Sequence, residues 1–436
     1  MTGGVLDPAG VVDALRRQGP FVTLYVAYSG GADSHALLYL LTRYRERLGC
    51  DLRAVHVNHN LQPGADSWVE HCRGVARELR IPLTVLDVYP DPDANREARA
   101  RRARYQALTG LLGAGEAVCT AHHREDQAET VLLRLLRGSG VDGLAAMPAS
   151  RPLGNGRLLR PLLEVSRDAL RRYAAAHGLE HVDDPSNTGV EQDRNYLRNR
   201  VLPLLRCRWP AADSTLARYS AAAAEARRLG EDLAVLDGLP SGPQLDCALL
   251  WALPGRRRRN LVRAWLRSLA LPLPGRERLL QGLDDLLHAE GDRVPEMRWP
   301  GGRVRRYRER LHADDGIDPP PLAAPRPWRG EPRLLLPSGV LHARPIIGDG
   351  LSRRVVSQGL VVDHRRPGER CRPAGRPRRT LKKLMQEAGI PPWQRDQWPV
   401  LRGGGETVAV PGICVCTGFR AEGAEEGVVL RFEPRS

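Results

Sequence analysis

Val22-Thr23-Leu24-Tyr25-Val26-Ala27-Tyr28 runs directly into Ser29-Gly30-Gly31-Ala32-Asp33-Ser34, and a helical pattern carrying Leu37, Leu40, Leu41 and Tyr44 follows. The first seven residues are β-branched, aromatic or apolar, the composition of a strand. A glycine pair at the strand end lets backbone N–H groups approach an anion closely, and the helix N-terminus behind it adds partial positive charge. Such a loop suits phosphate. It lacks the lysine of the Gly-x-x-x-x-Gly-Lys-Ser/Thr loop, so the hydroxyls of Ser29 and Ser34 are expected to share the cradle, with Asp33 holding magnesium against the phosphates. A tight strand-to-helix turn, with glycines for geometry and Ser or Asp for capping, uses the same residue types. The complete six-residue string in this setting favours the phosphate reading.

The alternation continues outward. Residues 22–28, 53–58, 83–88 and 117–120 are expected strands, and residues 34–48, 66–79, 95–112 and 125–137 are expected helices. This predicts an α/β fold, a parallel Rossmann-like sheet covered on both faces. Its ligands belong at the carboxyl ends of the strands, where the loops after Tyr28, Asn58 and Thr120 converge. Two further motifs lie there: His56-Val57-Asn58-His59-Asn60-Leu61, and Ala121-His122-His123-Arg124-Glu125-Asp126-Gln127-Ala128-Glu129-Thr130. Asp126 and Glu129 are three apart, so on a helix they share a face and can jointly hold a cation. Two other readings stand beside this: a solvated, dipole-favoured first turn, and a metal site drawn from His56, His59, His122, His123 and Asp126.

Beyond this region Ser166 is an expected N-cap for a helix over 166–176, and residues 183–193 form a polar loop. Ala-, Leu- and Arg-rich helical sequence then runs to about residue 287. Residues 314–329 are dense in proline and read as a linker. The remainder shows short strands, glycine turns and one helix over 381–388, ended by Gly389 and Pro391. The expected domains are therefore 1–212 (α/β), 213–313 (helical), 314–350 (linker and connecting segment) and 351–436 (small, α+β).

Lys and Arg total 66 against 51 Asp and Glu, a formal charge of +15, which fits a polyanionic partner. Nearly all the cations are arginine, the lysines being Lys382 and Lys383, so an arginine-favouring genome is the alternative source of the charge. The eight cysteines include no Cys-x-x-Cys pair, the nearest approach being Cys414-Val-Cys416. That spacing predicts neither a zinc site nor a redox dithiol. Residues 1–10 lack the pattern of a signal peptide, and no run of about 18 apolar residues occurs, so the expectation is a cytoplasmic chain with no membrane segment.

The six-residue loop resembles the pyrophosphate loop of the ATP pyrophosphatase superfamily, whose members cleave ATP to AMP and pyrophosphate. The combined strings resemble tRNA(Ile)-lysidine synthetase from end to end. They are residues 29–34, 56–61, Arg104-Tyr105, 122–130 with Arg137-Gly138-Ser139-Gly140, Arg160-Pro161-Leu162-Leu163 with Ser166-Arg167, Asp184-Pro185-Ser186-Asn187 leading to Arg194-Asn195, and the C-terminal Arg379-Thr380-Leu381-Lys382-Lys383-Leu384 with Gly389-Ile390-Pro391-Pro392-Trp393. Two departures stand out: Asn60 replaces an expected glycine, though Asn also tolerates positive φ, and Asp183-Asp184 replaces the more usual Glu-Asp.

The resemblance implies a chemistry. ATP adenylates the oxygen on carbon 2 of the wobble cytidine of an isoleucine tRNA with a CAU anticodon, and the side-chain amine of free L-lysine displaces AMP. Ser29, Gly30, Gly31, Ala32, Asp33, Ser34, His56, Asn58 and His59 would bind ATP, with Asp33 near Mg2+. Asp126 and Glu129 would bind the lysine ammonium and help pass on its proton, since free lysine arrives protonated. Arg104, Arg194 and Arg198 would receive the unstacked cytidine, while Arg376, Arg378, Arg379, Lys382 and Lys383 would contact tRNA phosphates. Homodimerisation is left open. The rivals are a tRNA thiolase of the same superfamily, an RNA-binding protein with an idle nucleotide loop, and a small-metabolite synthetase. The missing Cys-x-x-Cys argues against the first, the intact acids against the second and the basic domains against the third.

Overall fold

The computed structural model describes residues 5–60, 65–89, 96–182, 189, 191–289, 294–320 and 322–435. The chain divides into two compact units, residues 1–230 and 231–436. No helix among the described residues is long and apolar enough to cross a membrane.

In the first unit α1 (Pro8–Arg16) precedes β1 (Thr23–Ala27), α2 (Ala32–Arg43), α3 (Arg45–Leu48), β2 (Asp51–Asn58), α4 (Ala65–Glu78), β3 (Leu83–Asp87), α5 (Arg96–Leu111) and β4 (Ala117–Cys119). Then come α6 (Arg124–Leu136), α7 (Val141–Leu144), β5 (Ser150–Leu153), β6 (Gly156–Leu159) and α8 (Arg167–Ala176). The sheet order is β3-β2-β1-β4-β6-β5, parallel except for β5 at the edge. Because β1 sits between β2 and β4, the chain reverses its direction of winding there, and the crevice at the strand ends opens at that point.

Successive residues of β1 point to opposite faces, and both faces are covered. Leu24 and Val26 join a core with Leu37, Leu40, Leu41 and Leu170, whereas Tyr25 joins a second core with Val55, Leu108, Val118 and Leu158. Full burial of each such side chain contributes about 1.5–3 kcal/mol, which anchors the strand whose end carries the phosphate-type loop. The expected helix over 34–48 begins earlier, at Ala32, and is interrupted at Tyr44. As a result Asp33 and Ser34 stand in its first turn. Ser166 caps α8 as expected, its hydroxyl accepting from the Ala169 N–H at 3.2 Å.

After α9 (Asp193–Tyr196), a π-helical turn (Leu197–Val201), α10 (Leu202–Arg208) and α11 (Ala212–Leu236), the pattern departs from expectation. Helices α12 (Cys247–Ala252), α13 (Gly255–Ser268) and α14 (Arg276–His288) pack with a four-stranded antiparallel sheet of β7 (Gln244–Asp246), β8 (Glu296–Trp299), β9 (Gly302–Tyr307) and β10 (Arg310–Asp314) around Trp265, Leu261, Leu283 and Val304. The region expected to be helical is thus mixed. Its strands are rich in arginine, whose long stems mask a strand pattern by covering apolar surface while the charged heads stay wet.

The Pro-dense stretch is corrected too. Residues 326–347 supply β11 (Arg326–Trp328), β12 (Arg333–Leu336) and β13 (Gly339–Ile347), and β13 pairs along its whole length with the strand Glu426–Pro434. Proline and glycine there punctuate short strands; they do not mark a free linker. The remaining strands are β14 (Leu351–Ser352), β15 (Leu360–His364), β16 (Arg370–Cys371), β17 (Arg379–Thr380), β18 (Pro399–Gly403), β19 (Glu406–Val410), β20 (Cys414–Val415) and β21 (Glu426–Pro434). They form sheets β11-β15-β18-β19-β20 and β12-β13-β21-β14, with β16-β17 as a separate hairpin. Helices α15 (Arg353–Ser357), α16 (Leu381–Glu387) and α17 (Pro392–Arg395) accompany them, and Thr380 caps α16.

Candidate active site

The loop after β1 is held from beneath. Tyr28 N–H continues the β-ladder to Val55 O (2.8 Å), and His56 Nδ1, 2.9 Å from Tyr28 O, must donate to that carbonyl. Burial lowers the His56 pKa, keeping the ring neutral with its proton on Nδ1. Gly30 has φ +84°, and a Cβ there would meet Cys72 Sγ at 3.4 Å, so both conformation and space ask for glycine. Within the loop Ser29 N–H donates to Ser34 Oγ (3.2 Å), Ser34 Oγ donates to Gly31 O (2.9 Å), and the two hydroxyl oxygens lie 3.1 Å apart. The Ser34 hydroxyl therefore closes the loop and does not point at a ligand, contrary to expectation. The anion site rests instead on the first-turn N–H groups of α2, which have no intrahelical acceptor, and on Asp33, whose Oδ1 is buried without a hydrogen-bond partner.

The end of β2 is fastened locally. Asn58 Nδ2 donates to Asp87 (2.9 Å) and to Asn60 Oδ1 (3.0 Å), and Asn60 N–H returns to Asn58 Oδ1 (3.2 Å). Asn60 takes φ +51°, so the asparagine adopts the glycine-like conformation. His59 Nε2 accepts from Arg104, whose Nε and Nη2 lie 3.3 and 3.2 Å away; burial and the Arg104 charge push its pKa down to about 4. Arg104 is thus engaged with His59.

The centre of the site is His123, which the sequence reading named only as one ligand of the metal alternative. It caps α6, and its N–H donates to Asp126 Oδ2 (3.0 Å). The ring is 3% exposed, with Nε2 3.5 Å from both Asp33 Oδ2 and Asp126 Oδ2, and Nδ1 3.0 Å from Glu125 Oε2. Burial opposes its charge, but the hydrogen-bonded carboxylates Asp33 and Glu125, with Asp126, outweigh burial and lift it to about 10. Its neighbour His122, 2.7 Å from Thr120 Oγ1, is pushed down by burial to about 3. Adjacent histidines therefore hold opposite charge states, imidazolium at 123 and neutral at 122.

Asp126 and Glu129 do share one face of α6, and both are buried. The cations between them are arginines. Arg194 donates through Nε to Glu129 Oε2 (2.8 Å) and through Nη2 to Asp126 Oδ1 (2.9 Å). Arg198 donates through Nε to Glu129 Oε1 (2.6 Å), and through Nη2 to Glu129 Oε2 (2.9 Å) and Asp126 Oδ1 (3.0 Å). Burial resists ionisation of Asp126, yet His123 and Arg194 hold its pKa near 2. Arg194 and Arg198, expected to stand ready for a nucleobase, are bound to the acids. They come from the helix and π-turn 193–201, a local geometry often found at functional sites. Four carboxylates (Asp33, Glu125, Asp126, Glu129) face three cations, leaving one negative charge.

The other expectations distribute as follows. Residues 183–188, with the Asp184-Pro185-Ser186-Asn187 motif, lie outside the described residues. The five side chains of the metal alternative form no ligand cluster among the described residues. In the second unit Arg378, Lys382 and Lys383 are exposed, Arg379 is half-buried, and Arg376 pairs with Glu387 at 2.8 Å. Trp398 is a core residue, and Trp393 lies beneath Arg305 at 4.0 Å, so both indoles are engaged in packing.

Known proteins match this chain along most of its length. The PP-loop domain family matches residues 12–205, the TilS substrate binding domain residues 245–312, and the TilS substrate C-terminal domain residues 360–432. The tRNA(Ile)-lysidine synthase of Alkalilimnicola ehrlichii is 47% identical, over 95% of this chain and 95% of that protein. The enzyme of the same name from Coxiella burnetii is 39% identical, over 94% and 93%. Among solved structures, the U34-tRNA thiolase NcsA from Methanococcus maripaludis with its [4Fe-4S] cluster overlays with a TM-score of 0.42 and 18% identity, over 50% of this chain and 78% of that one. With full-length relatives at these identities and a PP-loop domain built around the phosphate-type loop, the chain belongs to the tRNA(Ile)-lysidine synthase family.

Proposed function

We propose that this chain joins free L-lysine to carbon 2 of the wobble cytidine of a CAU-anticodon tRNA(Ile), using ATP and releasing AMP and diphosphate. The observation that carries the reading is His123, one imidazolium touching both the Asp33 carboxylate of the phosphate-type loop and the Asp126 carboxylate of the acid helix. ATP chemistry and amine chemistry thereby fall within one side chain's reach of each other.

The residues fit a triphosphate with magnesium. First-turn amides of α2 face the anion site, and the orphaned Asp33 Oδ1 is an oxygen donor of the kind magnesium selects. Bound there, magnesium would neutralise phosphate charge. His123 orients Asp33 and places a fixed positive charge beside the phosphate site, where charge develops as the base oxygen displaces pyrophosphate.

For the second step the excess negative charge of the cluster suits an ammonium. Asp126 and Glu129 bind the lysine side chain as Arg194 and Arg198 give up part of their contact and turn toward the cytidine and its phosphate. The arginines keep two buried carboxylates paired until then, which avoids the several kcal/mol that an unpaired buried charge costs. As the amine attacks, the acids take up its proton. The exposed cations Arg378, Lys382 and Lys383, with Arg376 and Arg379, hold tRNA phosphates elsewhere on the molecule.

The test is purified protein with ATP, labelled lysine and a tRNA(Ile) transcript carrying CAU, with methionine tRNA as control. Lysine incorporation confined to the isoleucine transcript, with pyrophosphate release, is expected. Incorporation of sulfur in place of lysine, or turnover without RNA, refutes the assignment.

A further inference from the structure

Three of the eight cysteines meet in the second unit. Cys371 ends β16, Cys414 begins β20 and Cys416 follows it. Their sulfurs all lie within 4.8 Å of one another; Cys371 and Cys416 are buried and Cys414 is half-buried. Buried cysteines usually serve as small apolar fillers, and the surroundings here are apolar, with Leu381, Leu384, Met385 and Trp398. Filling a core does not require three sulfurs to converge on one point from strands 43 residues apart in sequence. Coordination does. Zinc–sulfur bonds of about 2.3 Å in a tetrahedron set sulfurs roughly 3.8 Å apart, so the observed triangle needs only a small contraction to close on an ion.

The backbone around the triangle is already paired. Ala374 N–H donates to Val415 O (2.9 Å), Thr417 N–H to Arg372 O (2.8 Å) and Cys416 N–H to Val408 O (2.9 Å). These bonds lay the start of the β16-β17 hairpin along the segment 415–417. The same hairpin leads through Arg376, Arg378 and Arg379 into the helix bearing Lys382 and Lys383. An ion held by all three sulfurs would fasten this basic segment to the sheet.

We propose that Cys371, Cys414 and Cys416 form a three-thiolate zinc site, with the fourth position filled by a water or other small ligand. Soft thiolates select zinc over magnesium or calcium, and binding would release the three thiol protons, up to three per ion. The site stands apart from the lysidine chemistry, so its fate does not depend on the proposed reaction.

The experiment uses the full chain, isolated anaerobically without chelator, and measures zinc by elemental analysis together with the spectrum after cobalt(II) replacement. About one zinc per chain is expected, with cobalt giving thiolate charge-transfer bands and the intense visible bands of tetrahedral coordination. Replacing all three cysteines by serine should cut bound zinc about tenfold or more, whereas Cys207→Ser, at an exposed cysteine outside the cluster, should leave it unaltered. The cobalt spectrum of the unaltered chain decides the matter even where the triple variant fails to fold. Less than roughly a tenth of an equivalent after zinc reconstitution, a cobalt spectrum without thiolate bands, or a disulfide joining Cys371 to either partner in the anaerobic protein overturns the proposal.

Discussion

Replacing His123 by glutamine removes one positive charge from among three carboxylates. The cost can be worked from the site. A pKa lifted from 6.5 to about 10 represents about 5 kcal/mol of preference for the charged ring, at ~1.4 kcal/mol per tenfold change in proton affinity. Mutational experience with broken buried pairs gives roughly 3–5 kcal/mol, and we expect a loss of unfolding free energy in that range at neutral pH. The contribution is fully present below about pH 6.5, where the unfolded histidine is charged as well, and is lost as pH rises through about 10. The stability difference between the two proteins, measured by urea denaturation, should therefore narrow steadily above neutrality. Pyrophosphate release with tRNA should fall about 10²–10³-fold, the usual effect of deleting one preorganised group that stabilises developing negative charge. A His123→Gln protein with unchanged denaturation midpoint and unchanged pyrophosphate release would refute the reasoning, as would a stability gap independent of pH.

Other outcomes follow from the same geometry. Asp33→Ala should abolish pyrophosphate release, and intact ATP cleavage would remove Asp33 from its assigned role. Glu129→Ala should raise the lysine KM by about tenfold or more, as expected for loss of a charged hydrogen-bonding partner, and an unaltered KM in steady-state kinetics would reject lysine binding there. Joint replacement of Arg376, Arg378 and Arg379 by alanine should weaken tRNA binding and reduce its salt slope by about 2, less than three full phosphate contacts because Arg376 also pairs with Glu387; filter binding across a salt series would show it. Asn60→Gly should leave the melting temperature nearly unchanged, whereas Asn60→Val should cost about 1–3 kcal/mol at its positive φ.

Much of the fold was legible from local pattern. The run 22–28, the glycine pair and the helix behind it are neighbours in sequence, so period, turn chemistry and capping suffice to place a phosphate-type loop at a strand end. The same holds for the common face of Asp126 and Glu129, which follows from helical spacing alone. Less was legible beyond residue 213, where arginine-rich strands and Pro-punctuated short strands resemble charged helices and linkers until their partners are known. β13 is a strand because β21 pairs with it over nine residues, and nothing within β13 announces that partner.

The chemistry of the site divides in the same way. Residue types, the loop and the acid pair are properties of short segments, and the sequence by itself determined them. Only the tertiary structure brought Arg194 and Arg198 onto Asp126 and Glu129, set His123 between Asp33 and Asp126, and gathered Cys371 with Cys414 and Cys416. Charge state and ligand geometry depend on groups within a few ångströms in space, and chain distance says little about which groups those will be.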